Sequence, residues 1–135
     1  MPEAVVAITG ASGAQYGVRL VDELLDAGWS LSLIVTSAGA INLDLECGIA
    51  PEALGERDGV TLEDNDNLAA RAASGSARFD AYVVCPASGT TIGKIAAGIS
   101  DNLATRSALV ALKERRKLIL VPREAPVSTP HLEAM

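Results

Sequence analysis

Residues 4–19 read AVVAITGASGAQYGVR, and the fold turns on how this stretch is parsed. Ala4 to Thr9 is a short apolar run stopped by Gly10, as expected of a strand buried on both faces. From Ala14 to Ala27 the apolar residues Val18, Leu20, Val21, Leu24 and Leu25 fall at helical spacing, and Gly28 is a helix stop. A strand that passes through a glycine-rich turn into a helix opens an α/β unit. The turn itself has two readings. Gly10 and Gly13 permit backbone angles closed to other residues, and Ser12 with the free amides of the helix start can cup an anion. Equally, the turn is a tight strand-to-helix connection with a serine cap.

The same alternation continues along the chain. Leu31 to Thr36 is a second buried strand, and a helix runs on from Ser37 through Ala40, Ile41 and Leu45. Residues 48–78 carry Gly, Pro, Asp and Asn, which predicts loops around a short strand near Val60–Leu62 and a short helix near Leu68–Ala73. Ala81 to Cys85 is a third clear strand, Thr91–Ile99 and Asn102–Arg115 are helices, and Lys117 to Val121 is a fourth clear strand. The closing STPHLEAM starts a further helix. The pattern predicts one α/β domain over residues 1–135 with a doubly wound, mostly parallel sheet. Such sheets bind ligands at the carboxyl ends of their strands. The four junctions there are Gly10–Gly13, Ser37, Pro86–Thr91, and Arg123 with Glu124, and all are polar or glycine-rich.

Composition narrows the function. The 135 residues suit one domain, and 49% hydrophobic with 21% charged residues is an ordinary globular balance. The net charge is −6, so no basic face favours nucleic acid, and an anionic ligand must be held by local groups. Cys47 and Cys85 are the only cysteines and form no CxxC pair, and His131 is the only histidine. No cluster therefore calls for a metal. There is no signal-peptide pattern and no apolar stretch of membrane-spanning length, so a soluble cytoplasmic protein is expected.

The junctions carry the chemistry. The first turn lacks the GxGxxG spacing, which argues against a dinucleotide. A short-chain dehydrogenase, suggested by TGAS, needs Tyr-x-x-x-Lys, but Leu20 and Pro86 stand four residues after Tyr16 and Tyr82. In CPASGTTIGK, the hydroxyls of Ser88, Thr90 and Thr91 precede a helix, as an oxygen-binding pocket or as helix caps. Arg106 and Lys113 are two helical turns apart and can share a face, and Arg115 and Arg116 read as a solvated basic stripe. Arg123 and Glu124 follow a buried strand at a ligand-bearing position. By composition alone Glu46 is a surface carboxylate.

Three strings, GASGAQYGVRL, VTSAGAINLDLE and VVCPASGTTIGKIAAGISDNLATRSALVALKERRKLILVPREAPVSTPHLEAM, resemble the UbiX-like flavin prenyltransferases over most of the chain. DNL-x-x-R, LKE-x-R and PRE-x-P are the most diagnostic. The related flavin-dependent cysteine decarboxylases carry a histidine in the first helix and a PASANT-type loop; here the helix has none and the loop reads PASGTT. The resemblance implies a Rossmann-like flavoprotein that joins a dimethylallyl group from dimethylallyl monophosphate to N5 and C6 of reduced FMN. The product, prenylated FMN, would serve a UbiD-type decarboxylase. It further implies that Gly10, Ala11, Ser12, Ser37, Ser88, Gly89, Thr90, Thr91 and Arg123 line the FMN site. Arg106, Lys113, Arg123 and Glu124 would surround the donor phosphate, with Ser12, Glu46 and Glu124 handling protons. No metal is implied, and the assembly is expected to be a homo-oligomer of up to twelve copies. Family members continue past the position of Met135 and supply a Tyr and a basic residue to the donor site. The expectation is thus a C-terminally shortened chain that binds FMN but transfers poorly. The alternatives are an FMN-dependent decarboxylase of the cysteine-decarboxylase type and a non-catalytic FMN-binding protein.

Overall fold

The computed structural model describes residues 1–135. Five parallel strands form the sheet: β1 (Glu3–Ile8), β2 (Ser30–Val35), β3 (Val60–Glu63), β4 (Ala81–Ala87) and β5 (Leu118–Pro122), in the spatial order β3-β2-β1-β4-β5. The helices are α1 (Ala14–Asp26), α2 (Ser37–Asn42), α3 (Pro51–Gly55), α4 (Gly89–Ala96), α5 (Leu103–Lys113) and α6 (Thr129–Ala134). No helix is long and apolar enough to cross a membrane.

Side-chain alternation explains the layers. On β1, Ala4, Val6 and Ile8 point into a core with Ala14 and Val21 of α1, while Val5 and Ala7 point into a second core with Tyr82, Val84, Leu103 and Ala111. Both faces of β1 are thus covered, which is why its sequence is a continuous apolar run. Helix α1 buries Ala14, Gly17 and Val21 on its sheet side. Its outer face carries the exposed Arg19–Glu23 pair at 2.7 Å. At the free edge, Ile119 and Val121 of β5 remain 44% and 39% exposed.

The middle of the chain differs from expectation. α3 was not anticipated; Pro51 starts it at the position where a missing N–H costs nothing. The helix expected near Leu68–Ala73 is a single 3₁₀ turn at Arg71–Ala73. The helix from Ser37 relaxes at Leu43–Cys47 into a π-helical turn, which ends at Gly48. Arg116 is not a solvated residue. Its guanidinium donates to the carbonyls of Ala77 and Gly75 (2.5 Å for the latter) and to the Tyr82 hydroxyl at 3.0 Å. It therefore pins the loop before β4 to the start of β5.

The strand order places the topological switch between β1 and β4. Connections from β1 and from β4 leave toward opposite sides there, so their C-terminal turns enclose a crevice.

Candidate functional site

The crevice is built by one buried residue that the sequence reading missed. Thr9, at the end of β1, donates from its hydroxyl to Pro86 O at 2.6 Å and accepts from Ser88 N at 2.8 Å. It staples the turn after β1 to the loop after β4. Ser88 caps α4: its Oγ accepts from Thr91 N at 3.1 Å and donates to Thr91 Oγ1 at 2.8 Å. The capping alternative holds for this loop, and Ser88 and Thr91 also line the crevice.

The glycine-rich turn holds an anion supplied by the chain itself. Gly13 sits at φ +112°, a conformation that a side chain would strain. That geometry aims the Gly13 and Ala14 amides at one Glu46 carboxylate oxygen, at 2.9 and 3.1 Å. Asn42 Nδ2 donates to Ala11 O at 3.1 Å. The π-helical turn thus delivers Glu46 to the positive end of α1, where a carboxylate is stabilised by the helix dipole. Ser12 is not the cap of α1, and its side chain is exposed.

An anionic ligand must therefore use the other helix starts. A cavity of about 490 Å³ opens between Gly10, Ser37, Ser88, Thr90 and Thr91, within the range of small-molecule sites. These are five of the residues singled out from sequence. Thr36 also lines it while capping α2 through a 3.0 Å bond from Gly39 N. The far wall is a loop that sequence reasoning left undescribed. Asn65 accepts from the α5 amides of Ala104 (side chain, 3.0 Å) and Leu103 (backbone, 2.8 Å), beside Asn102, which caps α5 through Thr105 N at 2.9 Å. The cavity's cation, Lys94, is already held by Asp101 at 3.1 Å. The rest of the lining is mainly hydroxyls and amides, with the exposed carboxylate of Asp66 among them, so a phosphate there would be bound through hydrogen bonds from the hydroxyls and helix-start amides.

The remaining candidates are not among the residues lining this cavity. Ala11 is buried beneath the turn. Arg123 and Glu124 are exposed just beyond β5, and Arg106 is exposed on α5. Lys113 is on the last turn of α5, about 15 Å along the axis from its start beside the cavity. Its ammonium lies 3.5 Å from Glu114. One chain therefore does not gather Lys113 with the Ser88–Thr91 loop. A smaller cavity of about 250 Å³ lies among Glu3, Ser30, Thr61, Glu63 and Arg71, where Glu3 and Arg71 already satisfy each other. No cluster of His, Cys, Asp or Glu has metal-binding geometry.

Residues 2–133 match the Flavoprotein family model. The flavin prenyltransferase UbiX of Thermoplasma acidophilum is 46% identical over 131 residues, covering 97% of this chain and 71% of that protein. The flavin prenyltransferase UbiX of Halalkalibacterium halodurans is 42% identical over 139 residues, covering 96% and 68%. The crystal structure of AnUbiX (PadA1) in complex with FMN and dimethylallyl pyrophosphate superposes with a TM-score of 0.95 at 35% identity, covering 99% of this chain and 71% of that one. A dodecameric FMN-dependent Ubix-like decarboxylase from Escherichia coli O157:H7 superposes at 0.93 with 38% identity, covering 98% and 73%.

Proposed function

The chain belongs to the flavin prenyltransferases of the flavoprotein family, and from that premise we propose that it transfers a dimethylallyl group from dimethylallyl monophosphate to reduced FMN. The observation that carries this reading is the hydroxyl-lined cavity at the β1/β4 switch point, in a chain that superposes on an FMN-bound prenyltransferase. Its volume and its hydroxyls fit a flavin mononucleotide held through its oxygens.

Ser37, Ser88, Thr90 and Thr91 hold the phosphate-bearing end of FMN with hydroxyls and helix-start amides. Gly89 lets the loop approach, and Gly10, Ala11 and Ser12 bring backbone close to the ring. Reduced FMN supplies the nucleophilic N5 and C6 and an electron-rich face. Allylic C–O cleavage puts negative charge on the departing phosphate, and Arg123 with Arg106 and Lys113 would stabilise it. Lys113 lies too far along α5 to serve the same chain's cavity, so it would come from a neighbouring copy in a homo-oligomer. Glu46 would hold a proton near N5 from its seat on α1, with Ser12 exposed beside it. Glu124, next to Arg123, would take or return the proton exchanged with phosphate or C6. The product would serve a UbiD-type decarboxylase. Free Cys47 and Cys85 suit a reducing cytoplasmic setting.

The test is mass spectrometry of flavin recovered after anaerobic incubation with reduced FMN and dimethylallyl monophosphate. A flavin heavier by one prenyl unit supports the reading. Unmodified flavin, with a peptide or acrylic acid decarboxylated by the same protein, overturns it.

A further inference from the structure

The sole histidine stands outside the roles given above, yet it makes one of the tightest approaches in the molecule. The His131 ring lies against Gly89 so closely that a β-carbon on Gly89 would overlap ring atoms Cε1, Nδ1 and Nε2. Gly89 is the buried first residue of α4, directly after the Ser88 cap. His131 belongs to α6, which follows β5 through Arg123 and Glu124.

α6 has little else to hold it. Six residues do not form a stable helix alone. Its cap, in which His131 N donates to Ser128 Oγ, is long at 3.4 Å and internal to the segment. Leu132 and Met135 are 59% and 53% exposed. His131 and Ala134, three apart on one face, are its half-buried residues. Ala134 contributes a methyl group to the core. α6 packs on α4, and the His131 ring on Gly89 is a close approach between the two helices. Between β5 and that contact runs the exposed arch that begins with Arg123 and Glu124.

We propose that His131 is a positioning residue: its ring, seated on Gly89, fixes the Arg123–Glu124 arch beside the Ser88–Thr91 loop and so sets the donor-phosphate half of the site. This rests on the prenyltransferase reading. The ring acts by shape; it touches the loop and not the reacting atoms. Gly89 is then required for its empty side, because ring and methyl cannot share one place. The Ser88 cap and the Thr9 staple do not involve His131, so FMN and donor respond differently to its removal.

Calorimetric titration separates the two. FMN is titrated into the protein, then dimethylallyl monophosphate into the FMN-loaded protein, for the parent, His131→Ala, Gly89→Ala and the double variant. His131→Ala should weaken donor binding about tenfold while FMN affinity stays within about threefold. Gly89→Ala forces methyl against ring, and overpacking of this kind should weaken FMN binding about tenfold. Adding His131→Ala to Gly89→Ala vacates the space and should restore most of the FMN affinity. Unchanged donor binding in His131→Ala, or no recovery in the double variant, overturns the proposal while the function stands. A parent that binds no FMN overturns the function as well. His131→Ala alters a half-buried residue of a terminal helix, so its result decides the matter even if Gly89→Ala folds poorly.

Discussion

Glu46 and Gly13, 33 positions apart in the chain, are joined by a 2.9 Å hydrogen bond from the Gly13 amide to the Glu46 carboxylate. The Ala14 amide reaches the same oxygen at 3.1 Å. The carboxylate thus does for α1 what an N-cap side chain does for other helices, and from another element. It also keeps its second oxygen for other work. One residue then carries a structural bond and, in the proposed reaction, a proton.

Two substitutions separate those duties. Glu46→Gln keeps an oxygen for the Gly13 and Ala14 amides but cannot exchange a proton at that atom. It should slow prenyl transfer by about 10²–10⁴-fold with little loss of FMN affinity. Glu46→Ala also leaves both amides without their acceptor and should cost about 0.5–2 kcal/mol of stability. Single-turnover kinetics and urea unfolding read the two effects. Equal kinetics for Glu46→Gln and the parent would make Glu46 purely a cap.

Thr9→Val tests the staple. The replacement has nearly the same shape but leaves the part-buried Ser88 amide without its 2.8 Å acceptor. An orphaned donor costs about 1–3 kcal/mol when fully buried, so the loss at this part-buried amide should be about 1 kcal/mol. FMN affinity should fall in parallel, because the Ser88–Thr91 loop loses its register on β1. Thr9→Ser should restore both. Fluorescence titration of FMN alongside urea unfolding is the check, and full affinity in Thr9→Val would separate the loop from the staple.

The framework was legible because β1, β2, β4 and β5 are apolar runs that end in glycine or polar residues, and that signal is local. The cavity's inner wall, at Gly10, Ser37 and Ser88–Thr91, followed from strand ends for the same reason. Asn102 and Thr36 were open to discovery as capping residues just before periodic helices. Thr9, Asn65 and Arg116 were not. Thr9 acts on Ser88, Asn65 on Ala104 and Arg116 on Gly75, contacts that exist only after the chain has closed on itself. The seat of Glu46 was hidden likewise, because a π-helical turn rotates it toward α1 and no sequence period marks that turn.

Lys113→Ala tests whether the donor site is shared between copies. The side chain is exposed and remote from the cavity along α5, so FMN affinity should be unchanged. Binding of dimethylallyl monophosphate to the FMN-loaded protein should weaken by about 1.5–3 kcal/mol, the worth of a charge-assisted hydrogen bond. Mixing Lys113→Ala with an FMN-binding-deficient Ser88→Ala variant should recover part of the transfer activity, because some sites then combine intact halves. No recovery would confine the site to one chain.

The two thiols should differ in reactivity. Cys85 is buried in β4, and burial raises its pKa above the ordinary thiol value. Cys47 is half-buried at the end of the π-helical turn. The thiolate is the reactive form. Iodoacetamide should therefore label Cys47 in the folded protein and reach Cys85 only on unfolding, as peptide mass spectrometry with and without urea would show. Labelling of Cys85 at the Cys47 rate would contradict its placement.

The last prediction concerns acid stability. Arg71 grips Glu3 with two hydrogen bonds, at 2.6 and 3.1 Å, and ties the 3₁₀ turn to the start of β1. The hydrogen bond from Arg71 holds the Glu3 carboxyl below the ordinary carboxylate range, against a smaller opposing effect of burial. A depressed folded-state pKa means that the unfolded chain binds the proton more readily. The pair therefore contributes its full stability above the unfolded pKa of about 4.3, and loses it as pH falls through the lower folded value. The side chains are 51% and 35% exposed, so solvent screens the pair and its worth is about 0–1 kcal/mol rather than the full shift. Arg71 also stacks over the Phe79 ring at 4.5 Å, a contact that does not depend on Glu3 ionisation. Glu3→Gln removes the titration and spares the stack. Compared with the parent, it should unfold at slightly lower urea at pH 7 and show a flatter decline below about pH 4.3. Identical pH profiles for the two proteins would mean that Glu3 is not held below its usual range in the folded state.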